Sequence, residues 1–251
     1  MSKSIEEARY ELAVANRIVA HEGVLDAFGH VSMRHPLHAD RYILARSRSP
    51  QLVEPTDLLE FTLDSEPVTP TKVALYGERV IHGCIYRARP EINAICHHHS
   101  LAILPYCITG IDLIPVHQSG ASLGLKAPIW DSRDEFGDTN LLVLTPNEGA
   151  SLARALGAHW IVLMRRHGAT VVGTNLRECV FRSIYSNRNA EVQLKSQLLG
   201  KLEPLNQNEI ERAGTRNLMQ TPLSRAWEYW NWRLERAGEM PSRECDNERV
   251  A

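Results

Sequence analysis

"NAICHHHSLA", residues 93–102, is the stretch on which the reading of the fold turns. An apolar run enters it, three histidines follow without interruption, and a helical pattern leaves it. The part "EINAICHHH" is short and β-rich, so it reads as a strand. Side chains alternate faces along a strand, which separates the three histidines. His97 and His99 then point one way and His98 the other, and the Cα atoms of the pair lie roughly 6.5 Å apart. Two imidazoles at that spacing either converge on one ion or end a polar strand at solvent. These residues alone leave both readings open.

Three neighbours in the pattern bear on that choice. Upstream, Glu78 and His82 are four residues apart, and on a helix they share a face. Downstream, His167 sits at the turn of the apolar hairpin "WIVLMRRHGATVVG", followed by Gly168, which lets backbone approach closely. A histidine at such an edge must be hydrogen-bonded or ligating, because an unpaired buried polar group is costly. Three neutral imidazoles (His97, His99, His167) and the Glu78 carboxylate make a site for a divalent cation with open positions, and open positions suit catalysis.

The surrounding pattern alternates helices and short strands. Ser4-x-x-Glu7 reads as a capping box that starts a helix over Ile5–His21, with Gly23 as its stop. "FGHVSMRHP", "RYILARS" and "LLEFTLD" read as strands, and Lys72–Arg87 reads as a helix ended by Pro90. A helix in "SLAILPYCITG" closes at Gly110. After the Gly-rich loop "SGASLG" come strands at "APIW" and "NLLVLT". A helix in "PNEGASLARAL" takes Asn147 as its cap, and then the hairpin follows. A long helix spans about Leu176–Leu199, and a last one lies in "SRAWEYWNWRLERAG" with Trp227, Trp230 and Trp232. That tryptophan stripe reads first as core or subunit interface. With no linker, repeat or low-complexity tract, the expectation is one α/β domain over residues 1–251, with a helical extension from about 205.

Composition sets the outer bounds. The chain has 251 residues, 43% hydrophobic and 23% charged, which suits an ordinary globular protein with a substantial core. A net charge of −2 with thinly spread basic residues argues against nucleic acid as a partner. No apolar run approaches 18 residues, so no membrane partner is expected. The N-terminal segment is amphipathic and mixed in charge, without the apolar centre of a signal peptide. The five cysteines, Cys84, Cys96, Cys107, Cys179 and Cys245, contain no CxxC pair, and four lie in apolar surroundings. They read as reduced small hydrophobes, which makes a cytoplasmic location the default.

Three motifs together resemble the class II aldolase/adducin family: "FGHVSMR", "GERVIHGCIYRARPEINAICHHH" with Glu78 nineteen residues before His97, and "LMRRHGATVVG". The resemblance covers roughly residues 5–200. It implies a single-domain α/β fold, a mostly antiparallel sheet covered by helices on both faces. It implies His97, His99 and His167 as metal ligands and Glu78 as a residue that either ligates the metal or moves a proton. It also implies a homo-oligomer, a tetramer in the family, whose pocket a C-terminal segment and a neighbouring subunit complete, so Tyr229 or Trp230 becomes a candidate contact.

The departures from the family pattern bear on substrate. Where the aldolases have Gly-Asn, this chain has Gly29-His30, and their Ser-Ser pair before the Glu is replaced by Tyr76-Gly77. A phosphate cradle uses small hydroxyls and backbone N–H groups, so a phosphorylated substrate is disfavoured. "ARSRSP" supplies Arg46, Ser47, Arg48 and Ser49, a fork that suits a carboxylate. The combination looks most like the metal-dependent decarboxylase branch of the family, the 3-hydroxy-2-methylpyridine-4,5-dicarboxylate and 3,4-dihydroxyphthalate decarboxylases. That likeness implies a small hydroxylated aromatic acid as substrate and one divalent ion per subunit, manganese first, with zinc, cobalt or iron as alternatives. Glu78 is the expected acid/base, of raised pKa if it is to donate a proton. His30 stands second, and His117 of "IPVHQSG" is a further pocket candidate. The competing readings are an aldolase or epimerase on a sugar, and a non-catalytic adducin-like binding module. An intact Glu78/His97/His99/His167 set speaks against the module.

Overall fold

The computed structural model describes residues 4–243. Helix α1 (Ile5–His21) begins where the Ser4 hydroxyl accepts from the Glu7 amide at 3.2 Å. Strands β1 (His30–Arg34), β2 (Arg41–Ala45) and β3 (Leu58–Thr62) follow, then α2 (Arg79–Ala88), β4 (Ala94–His98) and α3 (Leu104–Thr109). The chain continues through β5 (Ile129–Trp130), α4 (Arg133–Phe136), α5 (Pro146–Leu156), β6 (Ile161–Met164) and β7 (Gly168–Gly173). It ends with α6 (Leu176–Leu199), α7 (Gln207–Asn217) and α8 (Gln220–Ala237). All seven strands form one sheet in the order β3-β2-β1-β4-β7-β6-β5, antiparallel throughout except for β5 on β6.

Strand alternation divides the core. Val31, Ile43, Ala45, Ala94 and Cys96 point to one face and pack against α1, α6 and α8. Their neighbours Tyr42, Leu44 and Ile95, with Val162, Met164 and Val172, point to the other and pack against α2 and α5. Beyond β6 and β7, α3 covers Leu163, Ala169 and Val171. Helices therefore cover both faces of the sheet, the three-layer arrangement the resemblance implied. Trp227 and Trp230 are buried in the α1/α6/α8 layer, whereas Trp232 is exposed. Among the described residues no helix is long and apolar enough to cross a membrane. Cys84, Cys96, Cys107 and Cys179 are free thiols, the last three buried, and Cys245 lies outside the described residues.

Four elements differ from the sequence expectation. Helix α2 starts at Arg79 rather than near Lys72, because residues 72–77 are pinned as an extended segment. The Ser47 amide donates to the Ala74 carbonyl, and the Tyr76 hydroxyl donates to the Arg48 carbonyl. "NLLVLT" is not a strand: it leaves the sheet, and Leu141 has a left-handed φ of 69°. Helix α3 begins only at Leu104, with Pro105 in its first turn, after a turn at Ser100. Helix α5 is capped by Thr145, not Asn147, through a reciprocal capping box with Glu148.

Candidate metal centre and the cavity beside it

His97 is on the α2 face of β4, with Ile95, and the N-terminus of α2 brings Glu78 over that face. Glu78 is the residue immediately before α2, with φ −82° and ψ 13°, so its carboxylate leaves the helix end and reaches the sheet. His99 follows β4 directly, and His167 sits in the β6–β7 turn, whose Arg166 has φ 57°. Two glycines make this convergence possible. A Cβ on Gly168 would overlap the His98 carbonyl oxygen. One on Gly29, at φ +89°, would lie 2.8 Å from the His97 carbonyl oxygen.

Four ligand atoms, one each from Glu78, His97, His99 and His167, lie within 4.8 Å of one another. His97 Nε2 is 3.1 Å from His99 Nε2, which is 3.0 Å from His167 Nε2. The Glu78 carboxylate lies 3.5 Å from His97 Nε2 and 3.6 Å from His167 Nε2. Three imidazole nitrogens aimed at one point cannot all satisfy each other through ring N–H groups, whereas one cation accepts all three lone pairs. Burial, followed by the neighbouring His97, pushes His99 and His167 down to about 4, so both offer lone pairs at neutral pH. His97 Nδ1 meets Thr170 Oγ1 at 3.2 Å across the β4–β7 pair, which leaves Nε2 for an ion. These residues fit a divalent cation.

Burial would push the Glu78 carboxyl up, but His97, His167 and the Val143 amide, which donates to Oε1 at 3.0 Å, outweigh it and hold the group at about 2. The raised pKa expected of a proton donor is therefore absent, and Glu78 stands as a carboxylate. The segment misread as the strand "NLLVLT" is what supplies the Val143 amide.

Beside the cluster opens a cavity of about 380 Å³, walled by Phe28, His30, Ser47, Arg48, Ser49, Tyr76, Glu78, His99, Leu142 and Leu144. The sequence candidates divide around it. Ser47, Arg48, Ser49 and His30 face the cavity. Arg46 does not: its Nε is bound to Asp57 Oδ1 at 2.7 Å, while Arg48 Nε lies 3.0 Å from Asp57 Oδ2. The free two-arginine fork is thus replaced by a brace on one buried carboxylate, which leaves Arg48 alone at the wall. His117 and Tyr229 lie away from this cavity. Tyr229 borders a separate one of about 510 Å³ with Gln118 and Arg216, and is half exposed. His82 does not accompany Glu78, because Glu78 precedes the helix. Instead its Nε2 meets His30 Nδ1 and its Nδ1 meets Ser32 Oγ, each at 2.6 Å. His98 is fully buried on the α6 side, where its Nδ1 accepts from the Ser100 amide. Val143 and Thr170 carried no sequence signal, since a loop's path and strand pairing bring them here, whereas Ser32 and Tyr86 share faces with His30 and His82 at strand and helix spacing.

The chain belongs to the class II aldolase family: residues 10–194 match the family described as class II aldolase and adducin N-terminal domain. Among its relatives is a protein named decarboxylase tropJ from Talaromyces stipitatus, 36% identical over 238 residues, covering 86% of this chain and 89% of that one. A 3,4-dihydroxyphthalate decarboxylase from Arthrobacter keyseri is 26% identical over 75% of this chain and 78% of its own length. In fold, the chain is similar to an L-fuculose 1-phosphate aldolase from Glaciozyma antarctica, with a TM-score of 0.78 at 20% identity over 95% of this chain and 93% of that one.

Proposed function

We propose that this chain is a cytoplasmic divalent-metal-dependent decarboxylase that removes a carboxylate ortho to the hydroxyl of a small aromatic acid. The observation that carries this reading is the Glu78/His97/His99/His167 cluster opening on a cavity where Tyr76 and Gly77 replace the Ser-Ser pair of the aldolase pattern. Tyr76 stands where the aldolase pattern has a serine, and its phenol is spent on the Arg48 carbonyl. The decarboxylase names of the relatives support the same reading. The buried free thiols suit a reducing compartment.

His97, His99 and His167, with Glu78 beside them, would hold the ion, manganese first among the metals such donors accept. The ion supplies Lewis-acid stabilisation of the negative charge left when the C–C bond breaks. Arg48, with Ser47 and Ser49, orients the substrate through a carboxylate, a charge-assisted contact that fixes the reacting geometry. Phe28, Leu142 and Leu144 cover the ring and exclude water. Glu78, ionised at neutral pH, takes the proton of the ring hydroxyl and returns it to the carbon that bears the carboxylate. CO2 then leaves with its bonding electrons remaining in the ring, and aromaticity returns as a phenolate that solvent reprotonates. In a homo-tetramer, His117 and the half-exposed Tyr229, which lie away from this subunit's cavity, would contribute to a neighbour's cavity instead.

The test is to supply the metal-loaded protein with a panel of ortho-hydroxy aromatic acids and, separately, sugar phosphates. CO2 is expected from an aromatic acid. Aldehyde from a sugar phosphate without CO2 from any aromatic acid would overturn the reading in favour of an aldolase. No turnover of either would point to a binding module.

A further inference from the structure

Behind the His30 wall of the cavity lies a row of four polar groups on the α2 face of β1. His30 and Ser32 are two apart on the strand, and His82 and Tyr86 are four apart on α2, so the two repeats bring them into register. Tyr86 Oη is 2.8 Å from Ser32 Oγ, Ser32 Oγ is 2.6 Å from His82 Nδ1, and His82 Nε2 is 2.6 Å from His30 Nδ1. All four residues are buried, His30 at 3% exposure and the others at 1% or less. The His30 ring is held between Tyr76, at 4.5 Å between centroids, and His97, at 5.3 Å.

Counting hydrogens gives this row a direction. There are three gaps, and each takes one hydrogen. Tyr86 and Ser32 each carry one O–H, and neither has another acceptor among the described residues. If Tyr86 donates to Ser32 and Ser32 donates to His82 Nδ1, then His82 carries its proton on Nε2 and donates to His30 Nδ1. Every donor within the row is satisfied. In any other arrangement of neutral rings at least one O–H or ring N–H inside the row has no acceptor, which a protein interior strongly disfavours. With Nδ1 an acceptor, the one proton of neutral His30 sits on Nε2. That nitrogen has no partner among the described residues, and His30 borders the cavity. His30 is 3% exposed and His82 fully buried, which favours the neutral form of both rings.

We propose that Tyr86, Ser32 and His82 form a one-way hydrogen-bond relay that locks His30 as an Nε2–H donor, presented to a substrate oxyanion in the cavity. Ser32 and His82 are positioning residues, Tyr86 only fills the remaining acceptor site of Ser32, and His30 is the group that touches substrate. The oxyanion's identity, a carboxylate or phenolate oxygen, rests on the decarboxylase reading; the tautomer does not.

The experiment uses zinc-loaded protein, diamagnetic and labelled with 15N at histidine, and reads long-range 15N–1H correlations, with His30 assigned by its loss in His30→Asn. The expected result is one neutral His30 tautomer protonated at Nε2. Ser32→Ala removes the donor to His82 Nδ1, so His30 should shift to a mixture of tautomers while bound zinc stays stoichiometric. On the aromatic acid, kcat should fall about tenfold or more with little change in KM. Tyr86→Phe still leaves Ser32 with His82 as its acceptor, so it should keep the wild-type pattern; general loosening of the core would disturb both variants. A wild-type His30 protonated at Nδ1 or at both nitrogens overturns the relay, as does an unchanged pattern in Ser32→Ala. The stated tautomer pattern without CO2 release from any acid would count for the relay and against the decarboxylase.

Discussion

The two faces of strands β1 and β4 are equally buried and chemically opposite. On the α6 side stand Val31, Ala94 and Cys96, packed in the cluster formed with α1 and α6, and the buried His98, whose Nδ1 accepts from the Ser100 amide. On the α2 side, one residue along, stand His30, Ser32 and His97, each hydrogen-bonded or converging on the Glu78 cluster. The same backbone thus carries a scaffold on one surface and chemistry on the other, and strand parity alone sorts them. The lesson is that "HHH" is not a unit. His97 and His98 differ by one residue, and that single step decides between a ring that joins the Glu78 cluster and one buried on the opposite face.

Substitutions on the two faces should separate accordingly. The largest effect is expected from His97→Ala, which removes one of three converging imidazoles. Metal affinity should fall on the order of 10³-fold and activity with it. His98→Leu, its neighbour across the sheet, should keep full metal content by atomic absorption. If His98→Leu also empties the site, the division between faces is wrong. Next comes Glu78→Gln, which should lower kcat by about 10²–10⁴-fold with metal largely retained, the behaviour of a proton carrier. Metal lost in parallel with activity would instead make Glu78 a ligand first.

Thr170→Val should be milder, weakening the hold on the ion by about 10–100-fold, because it frees His97 Nδ1 without removing a donor to the metal. Titration with a chelator would read this, and an unchanged affinity would mean that Thr170 only packs. The smallest and broadest effect is on acid stability of the metal-free protein. His99 and His167 are held at about 4, and His82 and His98 at about 3, all below the ordinary 6.5. As pH falls through this range the unfolded chain binds protons that the folded chain refuses. Their contribution to stability is therefore complete above pH 6.5 and lost progressively as pH falls toward 3. Urea midpoints should drop between pH 7 and pH 5, and a flat profile to pH 4 would contradict this.

Much of the fold was legible because local rules decided it. Helix α1 and helix α6 run where the capping and periodicity placed them, and the hairpin turns before Gly168 as the His-Gly pair suggested. Two of the differences, the late start of α2 and the loop at 140–145, share one cause. Residues 72–77 and 140–145 carry helical and β-like composition, but long-range contacts to Arg48 and Glu78 hold them irregular. Propensity is a weak prior, and tertiary hydrogen bonds overrode it at the cavity's edge. Similarly, Arg46 and Arg48 read as a free fork until Asp57, eleven and nine residues away, came between them.

By itself, the sequence supplied the candidate residues: strand parity put His97 and His99 on one side, the turn marked His167, and the resemblance implied Glu78 and the set as a whole. Strand parity is a period of two residues that no tertiary contact alters, whereas the helical period that paired Glu78 with His82 failed because Glu78 precedes the helix. The tertiary structure alone decided the state of those groups. It set Glu78 beside His97 and His167, with the Val143 amide donating to it, and so kept that carboxyl ionised; it also turned His82 away from Glu78 toward His30 and sent Arg46 to Asp57. The reason is physical: a side chain's identity is local, but its protonation, tautomer and partner depend on burial and on groups brought from distant parts of the chain.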